Sequence, residues 1–593
     1  MSDESDIVEI GARGPKGGGA PPCAPERYAG EPEEIDCPLA FLGHHQGRYF
    51  LLSPAGERRE ASQRDMTAAG LISLVEGETA WLRAVAPEWP RGTKRREGLA
   101  PDFSVRDATI EIVRRCRAAG LFDPDTPVRL AGVWRDLRPS AVPALVVHAG
   151  DALYVDGDWR PAGVILGGAI YPARHTIARP AAVPAPPAVG EELLEAVRLW
   201  SWSRPEEPEI WLGWLGQAML GGAPRWRAHL MVTGARGSGK TWLANLAAAA
   251  LGAGAHPQRN NFTEAFLRQA LTGEARALIL DESEPDAYGR AQAVVEMLRR
   301  MSEGEGMRAG RGSADGRPQA FAVTGSAYLS SILHVPLSPQ DLSRIAELTL
   351  ELLAGGAAAA ADVEQAEAAI TAAAEASPAL RARAIAGWQR FLDGFGAYRA
   401  AAMAGGCDAR QADQLATLLA GRDLLIADAA ADSDFAAEEV TRFAWLVEQA
   451  QVAEDEDGEG WQCLRHLYSH PIDLWSGGER MSVARVVAEA LWDPMGAHRR
   501  KQIEGVGLKV MAGEDGAPRL LVAGQRHEGL ARIFSGTRWA EGVWVQALRY
   551  LPGVAPWPQP VRMDGVLYRA TAFGGGYLPQ DDGRPSDPAE DVF

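Results

Sequence analysis

The chain has 593 residues, 46% of them hydrophobic and 23% charged, the composition of a globular protein long enough for about three to five domains. A net charge of −18 excludes a globally basic nucleic-acid coat, so any DNA contact has to be local. No apolar run reaches the ~18 residues of a membrane span, Met1–Asp6 is too acidic for a signal peptide, and the five cysteines form no C-x-x-C pair, which argues against a zinc module or disulfide framework and predicts a cytoplasmic protein.

Residues 1–34 are rich in Gly, Pro and Glu and are expected to be disordered. Residues 35–178 predict a mixed α/β domain. Arg48–Leu52 and the run from Glu57 flank Ser-Pro-Ala-Gly, a hairpin signal. Ser104-Val-Arg-Asp107 is a capping box that opens a helix to about Leu121. Arg129–Asp136 and Ala144–Val155 predict strands, and residues 179–190 a Pro/Ala linker. A helical collar segment over 191–223 carries Trp200, Trp202, Trp211 and Trp214, read as core rather than as a base-stacking platform.

The most informative stretch follows. His229–Thr233 is an apolar strand, Gly234-Ala-Arg-Gly237-Ser238-Gly239-Lys240-Thr241 has the form G-x-x-x-x-G-K-T, and Trp242–Leu251 is helix-forming. Strand, Gly-rich loop and helix in that order are the context a P-loop requires. Backbone N–H groups freed by the glycines curl around phosphate, and the helix N-terminus adds partial positive charge. Lys240 reaches the β- and γ-phosphates of ATP, and Thr241 is placed for Mg²⁺. A second strand, Ala277–Leu280, ends in Asp281-Glu282. Asp281 suits a metal-holding acid and Glu282 a general base that polarises water. The plainer reading, a strand that ends in a surface acid pair, loses weight beside the P-loop.

After a helix over Gly289–Met301 comes Gly306–Arg317, in which Ser313–Gly316 predicts a hairpin tip flanked by Arg308, Arg311 and Arg317. An apolar strand over Ala320–Leu329 ends in Ser330-Ser331, and Asp341-Leu-Ser-Arg344 precedes a strand over Ala346–Leu353. The plain alternatives are a solvated loop for the hairpin and a local Asp341–Arg344 pair. The core spans 224–353, and an Ala-rich helical domain is expected over 354–474. Ser476-Gly-Gly-Glu479 resembles the signature of ABC ATPases but follows the acidic strand instead of preceding it, so it predicts a turn and N-cap. Residues 475–580 have the cadence of a winged helix: helices over Met481–Trp492 and His498–Val506, then a strand over Gly507–Val510. From His498 to Ala570 there are eleven Arg/Lys against six Asp/Glu, which suits phosphate contacts. Residues 581–593 form an acidic tail.

The order of P-loop, Asp-Glu strand, basic Gly hairpin, polar strand end and D-x-x-R resembles the superfamily 3 helicases, and more closely the AAA+ primase-helicases of bacteriophages and prophages. Thr263–Gln269, Arg410–Gly421, Pro38–His44, Gly132–Asp136 and His148–Asp151 are similar to that group, so the resemblance covers most of residues 38–572. It implies an α/β fold with an AAA+ core, a mixed N-terminal domain, a helical domain and a C-terminal winged-helix-like domain. It implies ATP and Mg²⁺ as cofactors, an arginine finger at Arg344 acting on a neighbouring subunit, and pore contacts with single-stranded or forked DNA through Arg308, Arg311 and Arg317. The family's polar sensor is usually Asn; here Thr324, Ser326, Ser330 and Ser331 are available, and Ser331 is the choice. The expected protein is a homo-hexameric DNA helicase of phage or prophage replication in a bacterial host cytoplasm, with no membrane association. No primase site is evident: Asp151, Asp156 and Asp158 have no nearby basic cluster. The alternative is a P-loop NTPase that remodels a protein partner, in helicase loading or phage defence.

Overall fold

A computed structural model describes residues 7–8, 35–89, 101–140, 143–259, 263–281, 290–304, 307–312, 318–332, 337–352, 357–449, 458–473, 480–492, 497–524 and 526–579. The readings made on residues 1–6 and 9–34, Glu282, Ser313–Gly316, Arg317, Trp475–Glu479 and the tail 581–593 lie outside them, whereas Ile7–Val8, expected to be disordered, pair antiparallel with Leu166 and Ile165. The chain divides into two compact units, residues 1–336 with 341–447, and 337–340 with 448–593.

The first unit is organised by a five-stranded sheet in the spatial order Ala255–Arg259, Ala277–Asp281, Ala327–Ser331, His229–Gly234, Ile345–Leu350. Every neighbouring pair is parallel. Parallel strands are covered on both faces and read as nearly continuous apolar runs; Ala277–Asp281 and Ala327–Ser331 are buried at every position. Ala255–Arg259 was not predicted. It reads Ala-His-Pro-Gln-Arg and lies at the sheet edge, where Pro257 costs no ladder bond on the open side.

The run expected as one strand over Ala320–Leu329 is two elements. Pro318–Val323 returns antiparallel to Met307–Gly312, so a two-stranded pair does form there, and Ala327–Ser331 enters the sheet. The break falls at Gly325, whose φ of +129° and Cβ position 2.9 Å from the Arg276 carbonyl exclude a side chain.

Helices Glu207–Met219, Lys240–Leu251, Ala357–Ala386, Trp388–Ala404 and Ala409–Ile426 share one core with this sheet. The helices after residue 353 do not stand apart: Leu380, Phe391 and Leu415 pack in the same cluster as Trp211, Leu230 and Leu246. Glu459–Ser469 belongs instead to the second unit. Small residues let Glu207–Met219 and Ala409–Ile426 cross at backbone contact. A Cβ on Gly216 would lie 2.0 Å from the Gly421 carbonyl, and one on Gly421 2.1 Å from the Gly213 carbonyl. The crossing also buries charge in pairs: Arg422 donates to Glu209 at 2.9 Å and to Asp423 at 2.8 Å, and bonds Glu439. The expected linker is pinned to the helices, because Ala181 and Ala185 donate N–H to Pro378 and Ala379 carbonyls at 2.9 and 3.0 Å.

Near the N-terminus, Ala40–His45, Arg48–Leu52 and Arg58–Ser62 form a meander that contains the expected hairpin. Ser104 accepts the Asp107 N–H at 3.3 Å and caps Val105–Ala118. The strand expected over Ala144–Val155 is a hairpin, Leu145–His148 and Ala152–Val155, turning at Gly150. Its sheet is bonded to the core: Leu130 N–H donates to Gly273 (2.7 Å), Ala275 N–H to Ala131 (3.0 Å) and Gly222 N–H to Val133 (2.9 Å).

In the second unit, the helix expected from Met481 starts at Val483, because Arg480–Ser482 pairs with Pro471–Asp473 as a short hairpin. Helix Ala497–Glu504 leads into the antiparallel pair Leu508–Ala512 and Pro518–Ala523, and Ala570–Phe573 and Ala555–Pro556 widen that sheet. Val561–Met563 and Val566–Tyr568 form a hairpin turning at Asp564-Gly565, and Ala570–Phe573 follows as the sheet strand.

Candidate nucleotide site

Gly234 ends the strand His229–Gly234, fourth in the sheet order, and Lys240 begins a 12-residue helix. Gly239 caps that helix with φ +87°, a left-handed conformation that suits glycine. The loop is tight at its start: a Cβ on Gly234 would lie 2.6 Å from the Leu350 carbonyl and 2.8 Å from Ser238 Oγ. Ser238 is fully buried, whereas Ala235, Arg236, Gly237 and Thr241 are exposed. Lys240 Nζ donates to the carbonyls of Gly234 (2.6 Å) and Ala235 (3.0 Å), so its ammonium lies over the concave loop that a phosphate would enter. Trp200 joins the loop from outside, donating its indole N–H to the Gly239 carbonyl at 3.1 Å.

The sheet order carries the rest of the site. Ala327–Ser331 lies between the P-loop strand and the strand that ends in Asp281. Parallel strands end on the same edge, so Gly234, Ser330, Ser331 and Asp281 gather there. Leu280 pairs with Leu329 in register, which brings Asp281 level with Ser330. Ser330 donates its hydroxyl to Asp281 at 2.5 Å, while Ser331, the residue chosen from the sequence, points its hydroxyl to Met231 Sδ at 3.9 Å. No sequence signal separates two adjacent serines; only the register does.

Below the loop, Glu207 is buried, accepting the Ser203 hydroxyl at 2.9 Å and the Thr349 N–H at 3.3 Å. Burial pushes its carboxyl up to about 7. At the opposite edge of the sheet, buried His229 accepts the Ala327 N–H at Nδ1 (3.0 Å) and bonds the Leu298 carbonyl through Nε2 (2.9 Å). Burial pushes its imidazole down to about 3, which keeps it neutral. Arg227, also fully buried, donates to the carbonyls of Met301, Pro224 and Gly304 and so caps helix Arg290–Met301.

Arg344 lies at that opposite edge, one residue before Ile345–Leu350. Since Gly234 pairs with Leu350 at the far end, the strand separates Arg344 from its own loop by roughly 20 Å. Its side chain is buried, donates to Glu303 at 2.7 Å and stands 5.7 Å from the Trp226 ring centre. The carboxylate of Asp341 takes Arg299 (2.7 Å), and Asp341 meets Arg344 through the backbone. Arg308 and Arg311 belong to one strand of the antiparallel pair, Met307–Gly312.

The donor set fits MgATP. One hydroxyl, Thr241, and one carboxylate, Asp281, suit an ion that keeps several waters and takes phosphate oxygens. Among the described residues no cluster of three or more His, Cys, Asp or Glu forms a metal cage. No described helix is long and apolar enough to cross a membrane.

No family model and no curated protein match the chain. Among solved structures it is similar to the active helicase Cch of SCCmec type IV, with 10% identity over 88% of this chain and 90% of that one and a TM-score of 0.43. The C-terminal region of NrS-1 is 10% identical over 91% of this chain and 97% of that one, with a TM-score of 0.30. At these scores the likenesses carry no argument, and the functional reading rests on the site itself.

Proposed function

We propose that the chain is an ATP-driven DNA helicase of phage or prophage replication, built on an AAA+-type core and acting as a homo-hexameric ring on single-stranded or forked DNA. The observation that carries the nucleotide part is the convergence of the P-loop, Ser330 and Asp281 on one edge of a parallel sheet. Lys240 and the loop amides would hold the phosphates of ATP, with Gly234, Gly237, Ser238 and Gly239 shaping the loop. Thr241 and Asp281 would hold Mg²⁺, and Glu282 would take the proton of the attacking water. The ring rests on the resemblance that makes Arg344 a finger; Arg344 lies roughly 20 Å from its own loop, and its buried side chain would have to leave Glu303 to serve another chain's nucleotide. The DNA part is supported by the antiparallel strand pair that carries Arg308 and Arg311. ATPase rate with and without single-stranded DNA, followed by strand displacement on a fork, tests the whole reading. Displacement without ATP dependence, or ATPase indifferent to DNA, would sink it.

The charge of −18 favours a second reading, an NTPase that remodels a protein partner in helicase loading or phage defence. It predicts ATPase unaffected by single-stranded DNA.

A further inference from the structure

We infer that Trp200 is a positioning residue for the phosphate loop, an inference that rests on the nucleotide-binding reading. The Gly239 carbonyl accepts two hydrogen bonds. One comes from Leu243 N–H (3.0 Å), as the first turn of a helix requires; the other comes from the indole of Trp200 (3.1 Å), thirty-nine residues earlier in the chain. Gly239 is the last residue before Lys240, and its left-handed φ sets the direction of the N–H groups that follow. Fixing its peptide plane therefore fixes where the loop's donors point.

The anchor is itself held. Trp200 is buried at 6% exposure. The segment after it bonds the outermost strand: Ser203 N–H donates to Thr349 (2.9 Å), Glu351 N–H to Ser201 (2.8 Å), and Trp202 bridges Leu350. Leu350 is the residue level with Gly234, so the loop's first glycine is tied to that strand directly and its last glycine through the indole. Indole contacts of this kind are not general in the Trp-rich segment. Trp202 donates to Val197, within its own turn, and the buried indole nitrogens of Trp211 and Trp214 find no acceptor among the described residues. A glycine-rich loop loses much backbone freedom when it closes on a ligand, and a loop ordered beforehand loses less.

Trp200→Phe keeps an aromatic side chain, smaller than the indole, and deletes the donor. The expected result is a Kd and KM for ATP raised roughly five- to tenfold, the net worth of one hydrogen bond, with kcat within about twofold of wild type and the melting temperature preserved. Inorganic tripolyphosphate, assayed as a competitive inhibitor, is expected to weaken by the same factor, because the contact orders the loop and not the base. Trp202→Phe is the control and is expected to leave both affinities unchanged. The inference is overturned if Trp200→Phe leaves the affinities unchanged, if ATP weakens while tripolyphosphate does not, or if Trp202→Phe weakens them equally. If Trp200→Phe does not fold, a benzothienyl analogue at position 200, with sulfur in place of the N–H, makes the same comparison. Wild-type protein that binds neither ATP nor tripolyphosphate in a Lys240-dependent way removes the nucleotide reading as well, which separates the two failures.

Discussion

Ser330 and Asp281 are joined across two neighbouring parallel strands by a 2.5 Å hydrogen bond from hydroxyl to carboxylate. The bond aims one Asp281 oxygen; in the proposed site the other would face a metal-bound water. Ser330→Ala is expected to lower kcat roughly tenfold, with ATP affinity nearly unchanged, the scale of losing a hydrogen bond to a charged group. Ser331→Ala, which loses only a contact to Met231, is expected to stay within about twofold. Steady-state ATPase of the two variants decides which serine serves the acid, and a larger loss at Ser331 reverses the assignment.

Lys240→Ala is expected to abolish ATP binding, because the ammonium over the loop is removed. Glu282→Gln is expected to bind ATP and stall hydrolysis, since an amide cannot take the proton. Fluorescent-nucleotide binding beside phosphate release measures both, and normal turnover by Glu282→Gln rejects the base.

Arg344→Ala has two expected effects that separate cleanly. Hydrolysis falls by on the order of 10³ at unchanged ATP affinity if the guanidinium serves a neighbouring site. Stability also falls by roughly 1–3 kcal/mol, because the Glu303 and Trp226 contacts go. Glu303→Gln shares the second effect and not the first. Mixing Arg344→Ala with Lys240→Ala chains is expected to restore part of the activity; verified mixed rings without recovery would refute a shared site.

Arg308, Arg311 and Arg317 are expected to meet phosphates, because a motor that moves along a strand gains nothing from reading bases. Each Ala substitution should reduce the salt slope of single-strand binding by about 0.7 in log–log terms. Deleting 475–593 tests the competing anchor in the C-terminal region. Whichever variant keeps the wild-type slope does not lack the DNA contact.

Glu207 gives a pH signature. Its carboxyl is held at about 7 by burial and titrates near 4.5 when exposed, so between those values the folded chain keeps a proton that the unfolded chain has lost. Stability from this group therefore falls as pH rises from about 4.5 to 7. Glu207→Gln, which keeps the acceptor for Thr349, should remove that fall and gain on the order of 2 kcal/mol relative to wild type at pH 8. Chemical denaturation at pH 5 and pH 8 reads the difference; equal gains at both rule out the protonated form.

The strand, glycine loop and helix of the P-loop pattern were legible because the pattern is local: glycines, lysine and threonine are consecutive, and both flanks announce themselves by hydrophobic pattern. Strand ends were legible where a run stopped at a charge, as at Asp281. What escaped depends on residues far apart in sequence. The choice between Ser330 and Ser331 needs the register with Ala277–Asp281, the edge strand Ala255–Arg259 is disguised by Pro257, and the Trp200 contact spans thirty-nine residues. The Ala-rich helices looked like a separate body because alanine faces carry little directional pattern. Only the glycine crossing of Gly213, Gly216 and Gly421 reveals how deeply they enter the core.

The hydrogen bonds that join residues 130–133 to Gly273 and Ala275 make the N-terminal sheet a splint on the stretch that runs directly into the Asp281 strand, and the Gly222 N–H bond to Val133 ties the approach to the P-loop strand as well. A fragment starting at the 179–190 segment would leave the Ala275 N–H, the Gly273 carbonyl and the Gly222 N–H without their partners, a few ångströms from buried apolar side chains. What looks in the sequence like a detachable leader is, mechanically, part of the mount of the Asp281 strand, and a chain trimmed to the P-loop region would begin by loosening that strand.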